Sequence, residues 1–510
     1  MSNLVPLYVI LPLASAFLIP SVGRLVKGFQ KALLSLVLLF LTAMTFYIIF
    51  SGLDQPIAYA VGGWEAVKDT PIAIYMVLDG LSVVVLLIVN LIGFLATFYS
   101  ISYIKKYTAE NNFYALLSLM IAGMNGVVLT GDMFNLYVFL EIAVIASYAL
   151  VAFGIEKTEL EASFKYQVLG GIASLWILFS IGMLYWKTQT LNMADISQIL
   201  ANDTSDAFMI FTQILLISGF GLKAAMIPFH AWLPDAHSSA PSPISAMLSG
   251  VLIKAIGVYA ILRLFFNMFA LTYEIGMVIT VIGTLSMIIG GLLAIFQWDM
   301  KRMLAYSSIS QMGYVFIGVG MGMIILIRGG ETSVAALAIA GGLFHMINHA
   351  TFKGLLFLNA GAIEHTTGTR NMKMMGGLAR TMPITSTTSL GASLAISGIP
   401  PFNGFFSKLI IIVAAIQGQF YLLAVLAIVI SIVTLVYFMR FQRFAFFNKT
   451  TFSRKVKEVP FTMCFSMVVL VILCLALSLL IFPGVREVML TPAVDVLMET
   501  TNYSSTIIGM

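Results

Sequence analysis

Charge is scarce in this sequence. Asp, Glu, Lys and Arg make up 10% of its 510 residues, against about 25% in ordinary soluble domains, which leaves no room for a soluble catalytic domain. Cysteine is nearly absent too. Cys464 and Cys474 stand ten residues apart in one expected helix, about 15 Å along its axis, too far for a disulfide. No GxGxxG, P-loop, CxxC or Ser-His-Asp pattern occurs in a usable context, so the residues offer no nucleotide, thiol-redox or acyl-transfer chemistry. No low-complexity segment or long linker interrupts the chain, and one domain over 1–510 is expected. The net charge of +5 does not point to nucleic acid, because the basic residues are scattered over short loops. The opening MSNLVPLYVILPLASAFLIP lacks the basic n-region of a cleavable signal and reads as a retained first span.

Hydrophobic residues make up 60% of the chain. Apolar runs of roughly 20 residues, enough to cross about 30 Å of hydrocarbon, recur from end to end. The fold class expected is all-α and polytopic, with about fourteen spans: 4–22, 30–51, 76–99, 113–131, 133–154, 163–186, 208–229, 240–266, 274–296, 303–326, 334–361, 384–413, 419–444 and 461–482. With the N-terminus outside, eighteen of the 27 basic residues fall in inner connections, among them Lys301, Arg302, Arg370, Arg454 and Lys455. Lys68, Lys187, Arg263, Arg328 and Arg486 fall outside. That bias satisfies the positive-inside rule and places both termini outside a cell membrane. The outer loop 52–75, with Pro56, Gly62, Gly63 and Pro71 between β-prone runs, can form either a small hairpin or an irregular loop.

Ionisable residues inside spans cost at least about 2.5–3.5 kcal/mol each and mark function by default. Glu141, in YVFLEIAVIASYAL, is the one carboxylate the pattern places deep in the membrane; its structural alternative is a helix contact held by a lysine. Lys223 precedes Pro228 by five residues, and proline breaks the helix around it. Snorkelling to the surface is the competing reading for this lysine. Lys254, in SGVLIKAIGVYAIL, is too central to snorkel. A second break, SGIPPFNGFFSK, puts Pro400, Pro401 and Gly404 before Lys408. The echo between the breaks suggests a repeated five-helix unit and does not by itself show inversion. His345, His349 and Lys353 recur at i, i+4 and i+8 on one helix face. Two histidines so spaced could bind a metal or haem, but no carboxylate or cysteine accompanies them in the span. A proton relay between Lys254 and Lys408 suits their titration near neutral pH better. No metal or cofactor is therefore expected. Pieces such as GGLLAIF and GGLFH read as close helix packing.

The stretch KAAMIPFHAWLPDAHSSAPSPISAMLSGVLIKAIGVY resembles the signature of the antiporter-like subunits of respiratory complex I and its relatives. The likeness extends through FLEIAVIASY, HMINHATFKGLLFLNAG and SGIPPFNGFFSK, covering most of residues 76–413. Within that family the chain is most similar to the D-type subunit of Mrp multisubunit cation/proton antiporters and its counterpart in membrane-bound, energy-converting hydrogenases. The resemblance implies fourteen helices with helices 7 and 12 broken. It also implies two inverted five-helix repeats, spans four to eight (about 113–266) and nine to thirteen (about 274–444). By position it makes Glu141 and Lys223 a coupled ion pair, Lys254 the central lysine, His345, His349 and Lys353 a bridging helix, and Lys408 the terminal ionisable site, where some relatives have glutamate. The absence of a long lateral helix after the last span fits a D-type chain. The partners implied are other membrane subunits, including small helical ones, with a hydrogenase or other oxidoreductase module as a further candidate.

The function expected is proton translocation within such a complex, with no redox centre in this chain. An adjacent carboxylate favours the charged form of a buried lysine, so separating Glu141 from Lys223 would drive a proton onward. The expected route continues through Lys254, then His349 and His345 or Lys353, to Lys408. Two rivals stand beside it: a self-sufficient secondary transporter for sodium or a small solute, and a haem-binding redox subunit.

Overall fold

The computed structural model describes residues 2–53, 55–64, 73–201, 207–449 and 456–499. Lys68, Pro71, Arg454 and Lys455, assigned to loops by the charge and turn pattern, lie outside the described residues. Among the described residues, twelve helices are long and apolar enough to cross a bilayer, from Ser2–Val22 to Phe461–Ile481. Backbone polar groups in hydrocarbon must be satisfied within the segment, which is why so apolar a chain folds as helices. The protein is an all-α, multi-pass membrane protein with one small strand pair. Ile57–Ala60 runs antiparallel to Tyr75–Leu78, Ile57 opposite Leu78, as a hairpin in the 52–75 loop requires.

Two apolar helices, Ala207–Lys223 and Asn403–Gln417, are shorter than the rest. The expected spans 208–229 and 384–413 are therefore not single long helices. The first ends at Lys223, and Ala225 two residues later has φ +55°, a left-handed conformation that costs an L-residue roughly 1–2 kcal/mol. Helix-end groups are satisfied locally: Trp232 Nε1 donates to Leu222 O at 2.9 Å, and Ile227 N donates to Ser286 Oγ at 3.0 Å. The second region divides into Pro383–Ser397 and Asn403–Gln417. Gly404 there admits no side chain, since a Cβ would collide with Ala395 O.

The segment Ser242–Met268 is enclosed by other helices along its whole length, and Met300–Ile327 nearly so. Peripheral helices expose Phe17, Phe40, Leu422 and Phe461, the faces that lipid covers. The helix Gly80–Tyr103 has 24 residues, about 36 Å at 1.5 Å per residue, and so connects two ends of the bundle. Asp79, Arg263 and Val496 meet at one end; Lys106, Glu156, Lys301 and Arg370 meet at the other.

Two basic residues that the charge pattern put on the outer side and in an inner connection, Arg263 and Lys301, are enclosed by protein, and Asp79 is a buried carboxylate at one end of the bundle. Asp79 caps the helix Gly80–Tyr103 and pairs with Arg263, Nη2 to Oδ2 2.7 Å. Arg263 also donates to Tyr259 Oη at 3.0 Å and Asn267 Oδ1 at 3.1 Å, and Asn267 Nδ2 donates to Val496 O at 2.7 Å. Arg263 lies near a span end, so hydropathy reads it as loop; its partner is 184 residues away. Arg263→Met should deplete folded subunit, because removing one member of a buried pair costs about 3–5 kcal/mol. The double change Asp79→Asn with Arg263→Met should recover part of the loss. Size-exclusion chromatography of detergent extracts would check this; wild-type recovery of Arg263→Met alone would refute it.

Candidate functional site

Glu141 lies half-buried on the helix Met133–Val151. Ser174, on Lys157–Thr188, donates its hydroxyl to Glu141 Oε1. Lys223 Nζ in turn donates to Ser174 Oγ and to Gly170 O, both at 2.9 Å. The expected ion pair is thus bridged by a hydroxyl. Amine, hydroxyl and carboxylate stand in donor-to-acceptor order, and a hydroxyl can accept one proton while releasing another.

The next element packs closely against this one. Gly257 approaches Ala224, the neighbour of Lys223, so tightly that a Cβ would lie 2.7 Å from Ala224 Cβ. Lys254 is on the same segment, where Leu248–Val258 widens into π-helical turns, a distortion frequent at functional sites. Its Nζ donates to Ser249 O at 2.6 Å, and Ser249 Oγ is 2.7 Å from Ser308 Oγ. Ser308 lies on Met300–Ile327, the helix that also receives Lys353: Nζ donates to Leu304 O at 2.7 Å and to Ser307 Oγ.

His349 is fully buried, and neither ring nitrogen has a hydrogen-bonding partner among the described residues. Lys254, Lys353, His345 and His237 are all within its electrostatic reach. His345 is engaged at both nitrogens, Nδ1 with Ser407 Oγ at 2.9 Å and Nε2 with Gln311 Oε1 at 3.2 Å. Ser407 adjoins Lys408, whose Nζ donates to Ile396 O at 2.8 Å and lies 4.8 Å from the Tyr314 ring centre. Lys254, Lys353 and Lys408 are held by carbonyls and hydroxyls, so each can exchange a proton without stranding a buried carboxylate.

The fold therefore gathers the expected residues into two groups. Glu141 and Lys223 form one; Lys254, His349, Lys353, His345 and Lys408 form the other. Sequence reasoning missed the hydroxyl and amide links Ser174, Ser249, Ser307, Gln311 and Ser407, which carry no special pattern. It also missed His237, buried, packed on Trp232 and Phe357, and with no hydrogen-bonding partner at either ring nitrogen among the described residues; a titratable ring inside WLPDAHSSAP was a legible signal. Among the described residues no group of three or more His, Cys, Asp or Glu side chains could hold a metal. Cys464 and Cys474 are free and buried.

The family pattern described as "NADH:quinone oxidoreductase/Mrp antiporter, TM" matches residues 130–434, and that described as "NADH-Ubiquinone oxidoreductase (complex I), chain 5 N-terminus" matches 64–114. The chain is 35% identical to the N-type subunit of the NADH-quinone oxidoreductase of Desulforudis audaxviator over 73% of this chain and 72% of that protein. It is 33% identical to the D-type subunit of the Na(+)/H(+) antiporter of Alkalihalophilus pseudofirmus over 84% of this chain and 83% of that protein. Its structure is similar to a chain of the Mrp complex from Dietzia sp. DQ12-45-1b, with TM-score 0.88 and 25% identity, covering 100% of this chain and 99% of that one. A chain of the membrane-bound sulfane sulfur reductase, an archaeal respiratory membrane complex, superposes with TM-score 0.86 and 29% identity over 99% of each.

Proposed function

The chain belongs to the NADH:quinone oxidoreductase/Mrp antiporter transmembrane family, and we propose that it is the D-like, proton-translocating subunit of an Mrp-type cation/proton antiporter complex. The observation that carries this reading is the wire from Lys223 through Ser174 to Glu141, beside a second buried group ending at Lys408. A proton leaves Lys223 when the contact with Glu141 opens. It then crosses Lys254, Lys353 or His349, and His345, and departs from Lys408.

The architecture we assign has fourteen spans. Spans seven and twelve are the broken ones, each with its working lysine beside the break, where unpaired backbone groups and ion sites coincide in transporters. Two inverted repeats, about 113–266 and 274–444, would then present Lys223 and Lys408 in equivalent roles. The end rich in basic residues faces the cytoplasm, and both termini face outward. An Mrp-type host is proposed because the D-type antiporter relative aligns over 84% of this chain and a chain of an Mrp complex superposes over 100% of it.

Reconstitution separates this reading from a self-sufficient transporter. The intact complex in vesicles should exchange sodium for protons, and the chain purified alone should leave an imposed sodium gradient unused. Exchange by the isolated chain at the rate of the complex would overturn the proposal.

A further inference from the structure

Two late connections at the basic end of the bundle carry charge of one sign. Residues 371–382 and 440–457 contain eight basic side chains, among them Lys373, Arg380, Arg440, Arg443 and Lys449, and no acidic one. The fold brings the two stretches together. A Cβ on Gly376 would strike Lys449 O, so the first stretch lies directly against the second. Both also reach Trp298, with Lys373 Nζ 4.4 Å and Arg440 Cζ 4.8 Å from its ring centre. Arg440 donates from Nη2 to Gln297 O at 2.8 Å, while its Nε is buried with no partner among the described residues.

An excess of basic residues at one end is what membrane topology requires, but it does not explain why these remain without carboxylates. At the same end Lys301 and Arg370 close on Glu364 at 3.1 and 3.8 Å, Arg370 reaches Asp299 at 3.3 Å, and Lys165 is held by Glu161 at 2.8 Å and Asp235 at 3.2 Å. None of Lys373, Arg380, Arg440, Arg443 and Lys449 has a carboxylate within ion-pair distance among the described residues. The next acid in the sequence, Glu458, is already engaged. Its carboxylate accepts from Ile384 N at 2.8 Å, Thr385 N at 3.2 Å and Thr385 Oγ1 at 2.6 Å, at the start of the helix Pro383–Ser397. Like charges gathered over one indole repel, and an anion placed among them is attracted by several at once.

The surface beside the cluster shows what kind of anion fits. Ile432, Val436, Arg440, Arg443 and Phe447 recur every three or four residues along Tyr421–Gln442 and the turn Arg443–Phe447, on one helix face. Ile432, Val436 and Phe447 are exposed, on a span where hydrocarbon covers such side chains. A molecule matching this face has an anionic head at the level of the arginines and acyl chains beyond it. Arginine holds phosphate through paired N–H donors, and basic clusters at a membrane surface collect anionic lipids.

We propose that this rim binds an anionic phospholipid of the adjacent leaflet, its phosphate held by Arg440, Arg443, Lys373 and Lys449 and its acyl chains lying along Val436 and Ile432. The site does not depend on which ion the chain moves. The bound phosphate ties the 371–382 connection to the Arg443–Phe447 turn. That connection leads into Pro383–Ser397, whose Ile396 O accepts from Lys408, so an occupied site steadies the support of that lysine.

The test uses the intact complex in vesicles of phosphatidylcholine containing a minor fraction of phosphatidylglycerol, with photoactivatable analogues of each lipid as probes and the labelled peptides mapped by mass spectrometry. The phosphatidylglycerol probe should label 371–382 and 440–449, and the phosphatidylcholine probe should do so weakly. Arg443→Gln combined with Lys449→Gln changes two exposed side chains and should leave the bundle packed; it should lower phosphatidylglycerol labelling about tenfold per assembled complex. Arg440→Gln should weaken labelling as well. It also breaks the bond to Gln297 O, so its signal is read per folded subunit. Lys165→Gln, on the paired side of the same end, should change nothing. Equal labelling by the two probes, or undiminished labelling of the double variant, would overturn the proposal. Competition by inorganic phosphate would assign the rim to a soluble anion instead. A rim that takes up neither probe and cross-links to a partner subunit would be a protein contact, which equally sinks the lipid site.

Discussion

Glu141→Gln is expected to reduce coupled proton translocation by roughly a hundredfold while leaving the subunit folded and assembled. Gln has nearly the same shape and still offers an oxygen to the Ser174 hydroxyl, so packing around Met133–Val151 is preserved. What disappears is the negative charge at the end of the wire. Hydrogen bonds to charged groups are worth about 1.5–3 kcal/mol, and each 1.36 kcal/mol is a factor of ten in rate. The structure adds a graded comparison. Ser174→Ala keeps both charges and removes the hydroxyl between them, and it should cost about tenfold, because water can partly replace the link. Proton uptake by vesicles containing the complex, normalised to subunit content, measures both. Normal uptake by Glu141→Gln would remove the basis of the proposed function, and a Ser174→Ala loss equal to that of Glu141→Gln would make the hydroxyl indispensable.

Lys408→Met should stop proton release almost completely. Met keeps most of the apolar volume, so the helix Asn403–Gln417 should still pack. It cannot donate to Ile396 O or lie as a cation over Tyr314, as the amine does. Two further substitutions say which property of the lysine matters. Arg retains positive charge but does not deprotonate in proteins, so it should be as inactive as Met if Lys408 is a proton carrier. Glu remains ionisable and, when protonated, can donate to Ile396 O; it should recover part of the rate with a displaced pH optimum. Full activity of Lys408→Met would take this residue off the pathway. Activity in the Arg variant with loss in the Glu variant would assign it a fixed charge.

Residue chemistry exposed several positions directly. A lysine in an apolar run is costly wherever its helix ends up, so Lys223, Lys254, Lys353 and Lys408 could be picked out without coordinates. The prolines of IPFH and SGIPPFNG likewise predicted interruptions near Lys223 and Lys408, since a proline nitrogen cannot join the helix ladder. Arg263 and Lys301 escaped the same logic. Each lies near a span end, where hydropathy cannot separate a solvated loop from a buried pair, and their partners Asp79 and Glu364 are remote in sequence.

The linking groups were illegible for a different reason. Serine is common in membrane helices because its hydroxyl can bond the preceding turn, as Ser180 does with Trp176 O at 2.8 Å. Nothing local distinguishes Ser174, which bonds Gly170 O in that manner and also stands between Glu141 and Lys223. His237 lay in a conspicuous motif, but its burial depends on Phe357 of the remote helix Thr332–Thr367 closing over it beside Trp232 of its own helix.

Composition and periodicity alone determined that the chain is helical, membrane-embedded and supplied with buried amines along its length, because transfer of side chains and backbone into hydrocarbon constrains each segment independently of its neighbours. Only the tertiary structure decided which of those groups touch: that a hydroxyl separates Glu141 from Lys223, that Ser407 links His345 to the Lys408 helix, and that Lys301 and Arg370 close on Glu364. Hydrogen bonds act over about 3 Å, and the helix crossings that bring such atoms within range are set by packing among residues far apart in the chain.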